Sequence, residues 1–208
     1  MIEHKPCLES EIFSSCTEVI WVVGYGGAGK STFARFIEEF GYRIVGLGTS
    51  VRTLYKEVVS NWEGKAPSLL EWVGEQIDMI GEVQFAHNML RHRLSLQSEL
   101  LQAERVVIPS MRNPEVLNSM KVFFPDAKHR IVFVSASRST RAKRLEERDS
   151  EEYDEYSTAP LAERDTMEDR LGLQELIKSA EVTFRNEGNL VEFERTIRNF
   201  FQTEEVSR

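Results

Sequence analysis

The sequence predicts a three-layer α/β fold, a five-stranded parallel sheet with helices on both faces. Three observations predict it. Short, continuous apolar runs rich in Val and Ile read as strands buried on both faces. Helical stretches separate these runs, and regular alternation of strand and helix implies parallel pairing through right-handed crossovers. The first strand also runs directly into a glycine-rich turn, GYGGAGKS at 24–31, with a helical pattern behind it.

In chain order, the strands read as EVIWVVG (18–24), YRIVGL (42–47), RVVIPS (105–110), HRIVFVS (129–135) and EVTFRN (181–186). KSTFARFIEEF (30–40) forms the helix after the first strand, and a long helical region over 49–103 follows the second. NPEVLNSMKVF (113–123) follows the third strand, and SRSTRAKRLEER (137–148) with further helices follows the fourth. The last helix is LVEFERTIRNFFQ (190–202), in which Leu190, Phe193, Ile197 and Phe200 recur at helical spacing. Residues 49–103 and the acidic stretch EERDSEEYDEYSTAP (146–160) look inserted into the basic pattern. The expected organisation is an extension over 1–17 and one domain over 18–204.

A chain of 208 residues suits one domain with a proper core, and 41% hydrophobic with 29% charged residues is ordinary globular composition. A formal net charge of -8 argues against generic binding to nucleic acid or to an anionic membrane. No apolar run approaches the length of a membrane span, and the first sixteen residues lack the apolar stretch of a signal peptide. Cys7 and Cys16 match no zinc spacing and nothing suggests export, so the expected location is cytoplasmic. His87 and His92, five apart, fall on different faces of a helix and read as packing or surface residues.

Residues 24–31 match G-x-x-x-x-G-K-[ST], and each position has a physical task. Gly24, Gly27 and Gly29 permit backbone conformations closed to other residues, so that successive N–H groups point inward at phosphates. The following helix adds its positive N-terminal end. Gly26, Gly27, Ala28, Gly29, Lys30, Ser31 and Thr32 are therefore the expected nucleotide-binding residues. Lys30 would reach the β- and γ-phosphates of ATP, and the Ser31 hydroxyl would ligate Mg2+.

No guanine-reading N-K-x-D motif follows any strand, but an arginine ladder does appear. Arg138, Arg141, Arg144 and Arg148 share one helix face, and Arg164 and Arg170 follow the acidic stretch. Phosphoryl transfer is catalysed mainly by positioning and by cations around the moving charge, so residues 138–172 read as an arginine-bearing lid. The plainer reading is an exposed helix whose arginines pair with Glu146 and Glu147.

The sequence resembles the P-loop nucleoside monophosphate kinase-like group that includes dephospho-CoA kinase and its archaeal relatives. The resemblance rests on TRAKRLEERD (140–149) and on LAERDTMEDRLGLQELIKSAEVTFRNEGNLVEF (161–193), which is close to the family's lid end, final strand and N-x-G-x-L turn. Two partial matches add to it. VVIPSMRNPEV (106–116) sits where relatives carry Asp-Gly-x-Arg, and GLGTSVR (46–52) where they carry an acid ahead of an arginine. The resemblance implies a P-loop NTPase fold with strand order 2-3-1-4-5. It implies that Arg144, Arg148 and Arg164 clamp the transferring phosphoryl group, and that Arg52 and Arg112 hold the acceptor's anionic groups. By the same resemblance Asn186 and Gly188 line the donor base, and residues 49–103 bind the acceptor.

Both middle matches keep the arginine and lose the acid, since Pro109 stands where relatives have Asp after the third strand and Thr49 or a neighbour replaces the acid after the second. A hydroxyl acceptor benefits strongly from a carboxylate base, whereas a phosphate oxygen is already ionised. The expected activity is therefore ATP-dependent phosphotransfer to a small phosphorylated acceptor, a nucleoside or deoxynucleoside monophosphate, with no nucleic-acid or membrane partner. Lys30, Arg112, Arg144, Arg148 and Arg164 are the expected catalytic residues. One rival is a dephospho-CoA kinase-like enzyme, which requires a carboxylate from elsewhere. Glu71, Glu75 and Asp78 could supply one, although such a row usually faces solvent. The rival from another class is a nucleotide-binding regulatory module that transfers nothing. Tyr55, Trp62, Trp72 and Phe85 could stack an acceptor base, although aromatics at helical spacing are more often core.

Overall fold

A computed structural model describes residues 13–151 and 160–206. The elements alternate as the apolar runs require. They begin with β1 (Glu18–Val23), α1 (Lys30–Phe36), β2 (Tyr42–Ile44), α2 (Leu47–Ser60), α3 (Leu69–Ile80), α4 (Glu82–Leu96), β3 (Arg105–Pro109) and α5 (Pro114–Met120). They continue with β4 (Lys128–Ser135), α6 (Arg138–Glu151), α7 (Leu161–Arg170), α8 (Leu173–Lys178), β5 (Val182–Arg185) and α9 (Leu190–Val206). Among the described residues the sheet has five strands in the order β2-β3-β1-β4-β5, and every pairing is parallel.

β1 lies at the centre and is buried along its whole length. Its side chains alternate between two cores, which is why its sequence runs apolar without interruption from Val19 to Val23. Val19, Trp21 and Val23 pack with Leu90, Leu117, Phe124 and Leu173. Ile20 and Val22 pack on the other face with Phe33, Ile37, Phe193, Ile197 and Phe201. Phe13 and Cys16, ahead of β1, also lie in the first core, where Phe13 stacks on Phe124. Burial pushes the Cys16 thiol up to about 11, so it behaves as a small apolar side chain.

Two expectations need correction, and a third is resolved in favour of its plainer reading. β2 ends at Ile44 rather than Leu47, because Gly46 is already the N-cap of α2. On α9, Leu190 is 59% exposed, and the buried row runs Phe193, Ile197, Phe201. A strict four-residue step keeps those three over the sheet, while Phe200 stands at the margin. Trp72 and Phe85 form a small core between α2, α3 and α4 with Leu69 and Met89, which leaves neither ring open for stacking. Tyr55 packs beside it and donates to the Pro67 carbonyl at 2.8 Å, whereas Trp62 is exposed.

Glu71 closes a capping box with Ser68 at the start of α3, and Glu75 and Asp78 face solvent. At the amino end of the sheet, opposite the glycine-rich turn, Arg130 of β4 is buried between Glu18 and Glu204. No helix among the described residues is long and apolar enough to cross a membrane.

His129 gives the fold a pH dependence. Its ring stacks on Trp21, and its Nδ1 accepts the Trp21 indole N–H at 3.2 Å, which requires that nitrogen to be unprotonated. Burial, helped by the nearby Lys121 charge, holds the His129 pKa below its ordinary 6.5. The unfolded chain therefore takes up this proton first, and the stability His129 contributes above pH 6.5 is lost as pH falls below it. Melting temperature is expected to drop between about pH 7.5 and about pH 5.5, and His129→Gln, which keeps an acceptor but cannot titrate, should flatten that drop. An unchanged pH profile in the variant would refute this assignment.

Candidate functional site

The glycine-rich turn leaves the carboxyl end of β1 and enters α1, in the crevice where open α/β sheets bind ligands. Gly24, Gly27 and Gly29 have φ of 144°, 78° and 101°. At Gly29 the requirement is also steric, since a Cβ there would lie 2.2 Å from Asn186 Nδ2. Asn186, just past β5, uses that amide to donate to the Ala28 carbonyl at 2.8 Å, which ties the turn to the far edge of the sheet. Gly29 is the N-cap of α1, no side chain caps the helix, and its first turn holds no acid. The leading N–H groups of α1 are thus left to an anion. At Gly26, by contrast, a Cβ would meet nothing within 4 Å.

Lys30 is buried, and its ammonium donates to the carbonyls of Gly24 at 2.5 Å and Tyr25 at 2.9 Å. Ser31 is exposed and Thr32 half-buried at the mouth of the same turn. These groups fit a nucleotide phosphate chain and its magnesium: bare amides, a buried cation and a free-facing hydroxyl.

α6 lays Arg141 across this loop and brings Arg144 to Asn186 beside it. Arg141 is 4% exposed, donates to the Gly26 carbonyl at 3.2 Å and lies over the Tyr25 ring at 4.9 Å. Its other partner is Asp165 of α7, in a bidentate pair at 2.8 and 2.7 Å. Arg144 donates to Asn186 Oδ1 at 3.1 Å and to the Gly188 carbonyl at 3.4 Å, and its Nη1 is buried with no partner. Arg138 is exposed, Arg164 half-buried on α7, and the Arg148 side chain lies outside the described residues. On the exposed side of this helix Lys143 stands 3.9 Å from Glu147. Glu187, beside Asn186, accepts from the Ser137 N–H and the Thr140 hydroxyl at the start of α6, and these bonds hold its carboxyl below the usual range.

Sequence reasoning missed the acidic face of α7. Asp165, Glu168 and Asp169 fall at i, i+3 and i+4, and each holds part of the glycine-rich turn or a cation beside it. Asp169 accepts the Tyr25 hydroxyl at 2.6 Å, with Gln174 on the same oxygen. Burial and that carboxylate push the Tyr25 hydroxyl up to about 12, so it remains a donor. Glu168 is buried, accepts the Gly26 N–H at 3.1 Å and stands 3.0 Å from Arg112 Nε. The spacing was visible in ERDTMEDR, but nothing local distinguishes it from a solvated acidic row.

Arg112 is thereby linked to the glycine-rich turn through Glu168, whereas Arg52 stays exposed on α2 with its guanidinium beside Gly48. Thr49 is exposed in the first turn of α2. Pro109 ends β3, and Ser110 follows with φ of 78°, a left-handed conformation that a non-glycine residue holds only under strain. Its N–H donates to the Val22 carbonyl at 3.1 Å, which fixes it at the edge of the crevice. Ser110→Gly is expected to stabilise the fold by about 1 kcal/mol, read as a higher urea midpoint, because glycine adopts this φ without cost. A lower midpoint would show that the serine hydroxyl has a structural role.

A parallel 2-3-1-4-5 sheet with a phosphate loop after its central strand, and Arg141 laid over that loop, defines a P-loop NTPase fold. The chain belongs to the AAA domain family, matched over residues 19–173, and to the UPF0200 family. It is 31% identical over 170 residues to a UPF0200 protein of Methanopyrus kandleri, covering 81% of each chain. A UPF0200 protein of Methanothermobacter thermautotrophicus is 27% identical over 170 residues, covering 82% of each. Among solved structures, shikimate kinase from Bacteroides thetaiotaomicron superposes with a TM-score of 0.52 at 19% identity, over 90% of this chain and 98% of that one. That likeness is one of fold.

Proposed function

We propose that this chain is an ATP-dependent phosphotransferase whose acceptor is a small phosphorylated metabolite, first a nucleoside or deoxynucleoside monophosphate. The observation that carries this reading is the gathering around one loop of bare helix amides, a buried lysine and arginines from two other places in the chain. Lys30 comes from the loop itself, Arg141 and Arg144 from α6, and Arg112 from beyond β3. Such a set suits a reaction in which charge on a moving phosphoryl group must be neutralised and little covalent chemistry is needed. A regulatory nucleotide-binding module would need the loop but not the surrounding cations.

In this reading Lys30 and the first N–H groups of α1 hold the donor phosphates, and Ser31 would hold magnesium. Magnesium would neutralise charge on the donor phosphates when bound. Arg144 sits where Asn186 and Gly188 approach the loop, placing a cation between the phosphate side and the base side. In the same reading Arg112 and the exposed Arg52 on α2 would hold the acceptor's anionic groups. Arg148 and Arg164 complete the cation set on α6 and α7. Glu168 is the carboxylate beside Arg112, but its two oxygens already face an N–H and a guanidinium. It is not free to serve as base toward a hydroxyl, which favours an acceptor that attacks through an ionised phosphate.

The test is ADP release from ATP and magnesium against a panel of nucleoside and deoxynucleoside monophosphates and dephospho-CoA. Turnover with a monophosphate is expected. Turnover with dephospho-CoA alone would move the acceptor to a hydroxyl. Nucleotide binding without any acceptor-dependent ADP release would replace the enzyme by a regulatory module.

A further inference from the structure

We propose that Glu168 is a positioning residue that sets the phosphate loop and Arg112 from a single carboxylate, aligning the donor side of the site with the acceptor side. The donor arm stands on the loop geometry alone; the acceptor arm rests on the phosphotransfer reading above.

Gly26 is the one loop glycine whose absent Cβ would meet nothing and whose φ is not positive, so no side chain of its own and no packing hold it. Glycine has the largest backbone freedom to lose. Two side chains from other helices hold it instead. Glu168 takes its N–H at 3.1 Å, and Arg141 donates to its carbonyl at 3.2 Å. Both helices are themselves joined, because Arg141 makes its bidentate pair with Asp165, one turn before Glu168 on α7. The turn is therefore preformed, and the binding of phosphate need not order it.

The second oxygen of Glu168 faces Arg112 Nε at 3.0 Å, a close ion pair without an aligned hydrogen bond. Glu168 has a side-chain exposure of 9% against 32% for Arg112, so the carboxylate is the fixed member and the guanidinium the accessible one. An anionic acceptor drawn to Arg112 meets a cation whose position is tied, through one carboxylate, to the loop that holds the donor.

The test compares Glu168→Ala and Glu168→Gln with wild type, using MgATP as the donor probe and the best monophosphate of the panel as the acceptor. The glutamine carbonyl can still accept the Gly26 N–H but carries no charge toward Arg112. Glu168→Ala is expected to weaken MgATP binding about tenfold, and Glu168→Gln to stay within about threefold of wild type. Glu168→Gln should instead raise the acceptor KM about tenfold. A merely structural role would lower the melting temperature of both variants without dividing the two affinities between them. Glu163→Gln, exposed on the same helix, serves as the control. The inference is overturned if Glu168→Ala binds MgATP like wild type, or if Glu168→Gln is as weak as Glu168→Ala. If wild type itself binds MgATP no better than Lys30→Ala, the functional reading falls and this inference with it. If the donor arm behaves as expected while no acceptor is turned over, the phosphotransfer reading falls alone and Glu168 remains the residue that sets the loop.

Discussion

Lys30→Ala should lower acceptor-dependent ADP release by about 10²–10³-fold, the effect of removing one preorganised charge from a transition state. Lys30 is 7% exposed, and its ammonium rests on the carbonyls of Gly24 and Tyr25 at the base of the phosphate loop. A cation held so close to the loop, in partly excluded water, acts on phosphate charge far more strongly than one in solution. Loss of the side chain leaves those two carbonyls without their donor, so a modest loss of stability is expected as well. Circular dichroism and thermal melting of the variant separate the two effects. Turnover within about threefold of wild type would place the phosphoryl transfer elsewhere on the molecule.

Arg130→Ala should destabilise the fold by about 3–5 kcal/mol, the usual cost of leaving a buried partner charge uncompensated. Arg130 is 4% exposed, and its guanidinium reaches Glu204 at 2.7 and 2.9 Å and Glu18 at 3.3 Å. Burial works against its charge, but the hydrogen bonds and charges of Glu204 and Glu18 outweigh it and raise its pKa. Glu18 is itself 3% exposed and opens the central strand, so removal of the arginine leaves its carboxylate buried without that cation. In a domain of this size the melting temperature should fall by on the order of 10 °C. Because Arg130 lies at the amino end of the sheet, opposite the loop, nucleotide affinity of the folded variant should be unchanged. A variant that melts like wild type would show that water or a shifted side chain replaces the guanidinium.

These two residues differ in how visible they were. Lys30 could be assigned from eight consecutive residues, because a phosphate loop is made by local backbone conformation. The positive φ at Gly24, Gly27 and Gly29 is a property of those residues and their immediate neighbours. Arg130, in contrast, follows Lys128 and His129 at the polar start of β4, and nothing nearby in sequence supplies its partners. Glu18 is 112 residues away and Glu204 is 74.

The strands were legible because both faces of the sheet are covered, which demands unbroken apolar runs. The end of β2 was not, since Val45 and Leu47 continue the apolar pattern while Gly46 has already turned the chain into α2. On α9, Phe200 and Phe201 are equivalent in composition, and only the angle at which the helix meets the sheet selects Phe201 for the core.

Alone, the sequence determined the alternating parallel fold and the phosphate loop, since both follow from short-range periodicity and the conformations open to glycine. Tertiary structure alone decided which charged residues serve that loop. Arg141 and Glu168 came to hold Gly26, while Arg138 and Arg52 stayed in solvent. The bond from Glu168 to Gly26 spans 142 residues, and that from Asp169 to Tyr25 spans 144. No window of sequence contains both partners of such a contact, because the packing of α6 and α7 over the sheet is what brings them within hydrogen-bonding distance.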